Sequence, residues 1–233
     1  MYNDNMRKSS FFPVAMIRWA GLLVIVIAAL FESCTDFFST SLAAPWAVRD
    51  QDKLVPSVTA GNVDELIDLT DNDPDLSLAV LKKIQAAVKG AFGNDKQKLQ
   101  EAALQAAVHS VGLAQSVLGV MSELNSLEGS VTDIFIDAIK EMQNLADASS
   151  VLFAILDKNF DMDEADPTDL ALAAMVLLAG EAKKAPGGVD NYVNSFPTSN
   201  PSNEAQLAMV MAAAAAGGVS GSLKDALAEL GLI

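Results

Sequence analysis

The 233-residue sequence predicts an all-α protein, either an irregular helical bundle or a short α-solenoid, behind a cleaved signal peptide. Three observations predict it. Apolar residues from 131 to 145 recur at the three-and-four spacing of a helix face. Asp-Pro or Asn-Pro pairs precede three Ala-, Leu- and Met-rich runs. Beta-branched runs are short, and no hairpin signal joins two alternating segments. The chain is long enough to bury a substantial core, and its 37 alanines let helices approach closely.

The first element is an export segment, residues 1–33. Arg7, Lys8 and Arg18 precede thirteen residues without a polar side chain, 19–31 (WAGLLVIVIAALF). A bilayer core needs about 20 helical residues, so this run has the length of a signal-peptide core rather than of a stable span. The lone cysteine, Cys34, follows three residues later in Leu30-Phe31-Glu32-Ser33-Cys34. This stretch resembles the lipobox of bacterial lipoproteins, in the loose form met among spirochaetal ones. The resemblance covers about 35 residues. It implies that a diacylglycerol is joined to the Cys34 thiol, that cleavage makes Cys34 the new N-terminus, and that the protein is held at a membrane of the bacterial cell envelope, on its periplasmic or surface face. Three other readings stay open: cleavage after Ala43, an uncleaved anchor extended back to Val14 with Arg18 inside it, and a buried core cysteine in a cytosolic protein.

Residues 34–60 read as the lipidated N-terminus and its tether, with Pro45, Pro56 and no sustained periodicity. A flexible linker of that length spans roughly 25–30 Å end to end. Phe37, Phe38 and Trp46 suit the bilayer interface.

The helical domain is expected over 61–233. Asn62 is an N-cap for a helix from Val63. Asp73-Pro74, Asp166-Pro167 and Asn200-Pro201 each place an oxygen acceptor at the N-cap and proline at the first helical position. The run 76–92 ends at Gly93 and a new helix begins at Asn94, so a helical hairpin is expected there. Residues 102–121 are apolar or small nearly all round, the pattern of a central helix, although Gln105, His109 and Gln115 spoil it as a membrane span. Residues 128–146 form the most amphipathic stretch. Val131, Ile134, Phe135, Ala138, Ile139, Met142 and Leu145 lie on one face, with Thr132, Asp133, Asp137, Lys140 and Glu141 on the other.

The starts at 166 and 200 are 34 residues apart, the period of a tetratricopeptide unit. The start at 73 breaks that period. The tryptophan, tyrosine and glycine pattern of the repeat is missing. An irregular bundle is therefore preferred to a tetratricopeptide- or HEAT-like array.

Charge and chemistry narrow the function. Thirty acidic against 15 basic residues give a net charge of −15, and the exported chain, with 12 basic and 28 acidic groups, reaches −16. Phosphate neutralisation needs a basic surface, so nucleic acid is excluded as a partner. One cysteine and one histidine leave no disulfide framework, cysteine–zinc cluster or Cys–His nucleophile. His109 reads as a hydrogen-bonded core residue. Gly218-Val219-Ser220-Gly221-Ser222 lacks the final glycine of a nucleophile elbow. Carboxylate pairs for sugar chemistry have few aromatic platforms, since the exported chain has one tryptophan and one tyrosine, Trp46 and Tyr192.

The best local constellation is Asp157, Asn159, Asp161 and Asp163, which offers oxygens at calcium-loop spacing. Met162 stands where the turn glycine belongs and Thr168 where the bidentate glutamate belongs. The plainer reading is an acidic interhelical loop capping the next helix.

No cofactor is expected beyond that calcium candidate, and no enzyme activity. The function expected is a lipid-anchored envelope protein that binds a partner protein, whose identity the sequence leaves open. A transporter-associated role rests on a faint likeness to spirochaetal tetratricopeptide lipoproteins, carried by the anchor and helicity. The alternative is a carrier of a lipid or other apolar ligand, with Met175, Met209 and Met211 lining an adaptable groove. Insertion of the 128–146 helix into a membrane ranks lower, because its polar face is poor in lysine.

Overall fold

The computed structural model describes residues 51–113, 131–156, 159–196 and 199–233. Cys34 and the rest of the expected signal and tether up to residue 50, the second half of the 102–121 stretch, and Asp157 lie outside the described residues. Among the described residues every regular element is helical, and none is a strand. We number the helices α1 (Gln51–Leu54), α2 (Val63–Thr70), α3 (Pro74–Val88), α4 (Gly93–Ser110), α5 (Val131–Glu141), α6 (Leu145–Ile155), α7 (Pro167–Lys184), α8 (Gly188–Ser195), α9 (Asn203–Ala215) and α10 (Ser222–Glu229).

Side-chain caps set three of the helix starts among the described residues. The Asp73 carboxylate accepts from the backbone N–H groups of Asp75 and Leu76 at 3.1 and 3.0 Å, and Pro74 opens α3. Asp166 does the same for α7, accepting from Thr168 and Asp169 at 2.7 and 3.2 Å. The third pair behaves differently. Asn200-Pro201 stays outside α9, whose cap is Ser202, its hydroxyl accepting from Ala205 N at 3.1 Å. Asn62 precedes α2 but turns away from it. Its Oδ1 accepts from the N–H and hydroxyl of Thr59 at 2.8 and 3.1 Å, and its Nδ2 donates to the Ser57 carbonyl at 3.0 Å. Asn62 thus ties the entering chain down rather than capping the helix.

The body also begins earlier than the sequence suggests. Residues 51–60 were expected in the tether, but Val55 and Val58 are buried in the core and α1 packs on α3. Burial of these two valines in the core outweighs the loop-like composition around Pro56.

Helix α7 is the hub, packing against α4, α6, α8 and α9. Every residue from Leu170 to Gly180 is buried. A solenoid repeat touches only its neighbours in sequence, whereas α7 meets α4 and α3 meets α6 across long separations. The architecture is therefore a helical bundle. Small residues set its closest approach: a Cβ on Gly180 would run into the Ser149 side chain of α6, so α6 and α7 cross there backbone to side chain. The expected hairpin is present as α3 and α4, one of the most extensive pairings in the bundle.

Two expected helices are interrupted. The 102–121 helix stops at Ser110, where Gly112 takes φ +69° and Val111 and Leu113 turn into the core. The amphipathic stretch ending at 146 breaks at Asn144, which has φ +53°. Its side chain explains why. Asn144 Nδ2 lies within hydrogen-bond range of Asp75 Oδ1, the Ser110 carbonyl and the Pro74 carbonyl, at 2.9, 3.3 and 3.4 Å. Asparagine tolerates the left-handed conformation, and here it joins the start of α3, the end of α4 and the start of α6.

Candidate functional site

Gln105 and His109 are four residues apart and share one face of α4. His109 Nε2 lies 3.2 Å from Asp71 Oδ1, at the end of α2. Gln105 Nε2 donates to Asp169 Oδ2, in the first turn of α7, at 2.6 Å. Burial pushes the Asp169 carboxyl above its ordinary value. The Gln105 hydrogen bond opposes that rise, the Asp166 carboxylate adds to it, and His109 opposes it weakly. His109 Nδ1 is buried without a hydrogen-bond partner among the described residues.

A nucleophilic pair needs a hydroxyl or thiol on the imidazole nitrogen not held by the carboxylate. That nitrogen is the enclosed Nδ1, which no hydroxyl or thiol among the described residues reaches. The cluster is a polar seam joining α2, α4 and α7. Ser220, in the elbow-like stretch, is exposed just before α10. Tyr192 packs against the core with its ring 6.0 Å from that of Phe196.

The acidic loop ahead of α7 is gripped by α4. Gln97 donates to the Asp161 carbonyl at 2.8 Å and accepts from Asp161 N–H at 3.0 Å. Buried Gln100 donates to the Ile155 carbonyl at 3.0 Å. Of the calcium candidates, Asp161 Oδ1 accepts from Asp163 N–H at 3.0 Å in a local turn, while Asn159 and Asp163 are exposed. No group of three or more His, Cys, Asp or Glu among the described residues is placed to hold a metal ion. Asp157, the first member of that set, lies outside the described residues.

Two surface grooves stand out. One, of about 510 Å³, is polar and runs along α4 past Lys98, Glu101 and Gln105 to Asp64 and Glu164. Its Lys98 and Asp64 are joined by a 2.8 Å ion pair. The other, of about 390 Å³, lies among α1, α2 and α3 and is mainly apolar, lined by Leu54, Val55, Leu66, Leu69, Leu76 and Val80. Leu54 is 48% and Leu69 72% exposed, although both are large aliphatic residues. Sequence reading missed this groove. The signal was present: Val63, Leu66, Ile67 and Thr70 form the buried stripe of α2, and Leu69 falls to one side of it.

Of the methionines suggested for a ligand groove, Met175 and Met211 are fully buried core residues and Met209 packs against the core. The apolar face of α5 is likewise occupied, with Phe135, Ile136 and Ile139 in the core. The segment suggested for membrane insertion therefore has its apolar face turned inward. No helix among the described residues is long and apolar enough to cross a membrane.

No protein-family description, curated protein or solved structure matches the chain.

Proposed function

We propose that this chain is a lipid-anchored helical protein of the bacterial envelope, non-enzymatic, that works by binding a partner protein. The finer form of the reading is association with a solute transporter. The lipobox-like segment ending at Cys34 is the observation that carries it. The bundle adds a groove where large aliphatic side chains stay exposed beside a well-filled core, the arrangement that marks interaction surfaces. The carrier reading has less support, because the methionines that motivated it are packed in the core.

Two measurements on the native host test the proposal. Metabolic labelling with an alkyne palmitate analogue is expected to mark the wild-type protein and not the Cys34→Ser variant. A photo-cross-linking residue placed at position 69 is expected to capture an envelope protein. Absence of label on the wild type overturns the anchor, and co-purified lipid without any captured protein overturns the partner.

A further inference from the structure

Resting on that reading, we infer that the groove among α1, α2 and α3 docks a basic, amphipathic helix of the partner. Its floor is aliphatic, built from Val55, Leu66, Leu76 and Val80, and Leu54 and Leu69 stand up at its edges. The charged group lining it is Glu65, on the same side of α2 as Leu69, one helical turn earlier.

The surrounding chain is mainly acidic. Residues 54–81 contain Asp64, Glu65, Asp68, Asp71, Asp73 and Asp75 and no lysine or arginine; Lys53 on α1 and Lys98, paired with Asp64, reduce that excess without cancelling it. An apolar trough in such a field favours a ligand with leucine-like anchors on one face and cations flanking them, and it repels the acidic counterpart. Length also fits. Helix α2 has eight residues, about 12 Å, so two turns of a partner helix lie along it, bringing two or three apolar anchors at i, i+3 and i+4. A second copy of this chain is a poor occupant, because the same acidic surface would meet itself across a two-fold interface.

The test uses two synthetic helical peptides, one of leucine and lysine and its twin of leucine and glutamate, titrated against the full-length protein in non-ionic detergent by fluorescence anisotropy. The basic peptide is expected to bind at least tenfold more tightly than its twin, and to weaken as salt is raised. Leu69→Ser and Glu65→Lys are each expected to weaken it at least fivefold. Glu141→Lys makes the same change of net charge on α5, which packs on α8 and α10, and is expected to stay within twofold.

Circular dichroism verifies that each variant is folded. Equal binding of the twins, no binding by either, or equal losses in Glu65→Lys and Glu141→Lys overturns the proposal. So does a cross-link from position 69 into a second copy or into the chain's own N-terminal residues. A labelled Cys34 and a captured envelope protein alongside such a failure leave the partner reading standing and remove the groove alone.

Discussion

Along α7 every residue from Leu170 to Gly180 is buried, whereas on α2 Leu69 stands 72% exposed in a helix less than half as long. Both helices carry leucines at helical spacing, but their small residues differ. Helix α7 interleaves leucine with Ala171, Ala173, Ala174, Ala179 and Gly180, so neighbours close on it from several sides. Helix α2 interleaves its apolar residues with Asp64, Glu65 and Asp68, so only one stripe is covered. A leucine is buried when the residues around it let another helix approach; Leu69 has no such company. What remains outside the core at that corner is the exposed edge of the groove among α1, α2 and α3.

The comparison breaks most readily at Gly180. Replacing it by alanine puts a methyl group into the Ser149 side chain and is expected to cost about 1–3 kcal/mol through overpacking. Urea unfolding reads this directly, and an unchanged midpoint would mean that the α6–α7 crossing is looser than described. Pairing it with Ser149→Gly sharpens the result: both the Cβ and the Oγ of Ser149 crowd the site, so the double variant is expected to lose less than the sum of the two single changes.

A smaller effect, visible mainly as a pH dependence, is expected at Asp169. Its carboxyl is raised, so the folded chain binds that proton more tightly than the unfolded chain. Stability from this group is therefore full in acid and is lost as pH rises from the ordinary carboxylate range through the raised value. Asp169→Asn keeps an oxygen for Gln105 and removes the ionisation. Its stability relative to wild type is expected to climb with pH across that window, and a difference independent of pH would sink the account.

The smallest effect belongs to the exposed corner. Leu69→Ser is expected to change stability by no more than about 0.5 kcal/mol, the range of ordinary surface substitutions. A loss comparable to that at Gly180 would place Leu69 in the core after all.

Much of the fold was legible in the sequence where the signal acts over a few residues. Asp73 and Asp166 cap helices from one position away, so their identity is enough to place α3 and α7. The same reasoning failed at Asn200, where Ser202 supplies the cap; at Asn62 it placed the start of α2 but not the capping bond, because the amide is engaged by Thr59 and Ser57. The break at Asn144 was not legible, because its partners Asp75 and Ser110 are 69 and 34 residues away. The hydrophobic period runs through that position without interruption. His109 is bonded as expected, to Asp71, but it is partly exposed rather than a core residue, and that partner and the enclosure of Nδ1 depend on how α2 and α4 meet.

The sequence by itself determined that this protein is helical, where its strongest caps lie and how acidic its surface is. These follow from local hydrogen bonding, helical periodicity and composition, none of which needs a distant partner. Only the tertiary structure decided that α7 is the hub, that a bundle rather than a repeating array forms, and that residues 55 and 58 belong to the core. It also decided that Leu54 and Leu69 remain outside. Burial depends on which helices meet across long stretches of chain, and small residues such as Gly180 set how closely they do so.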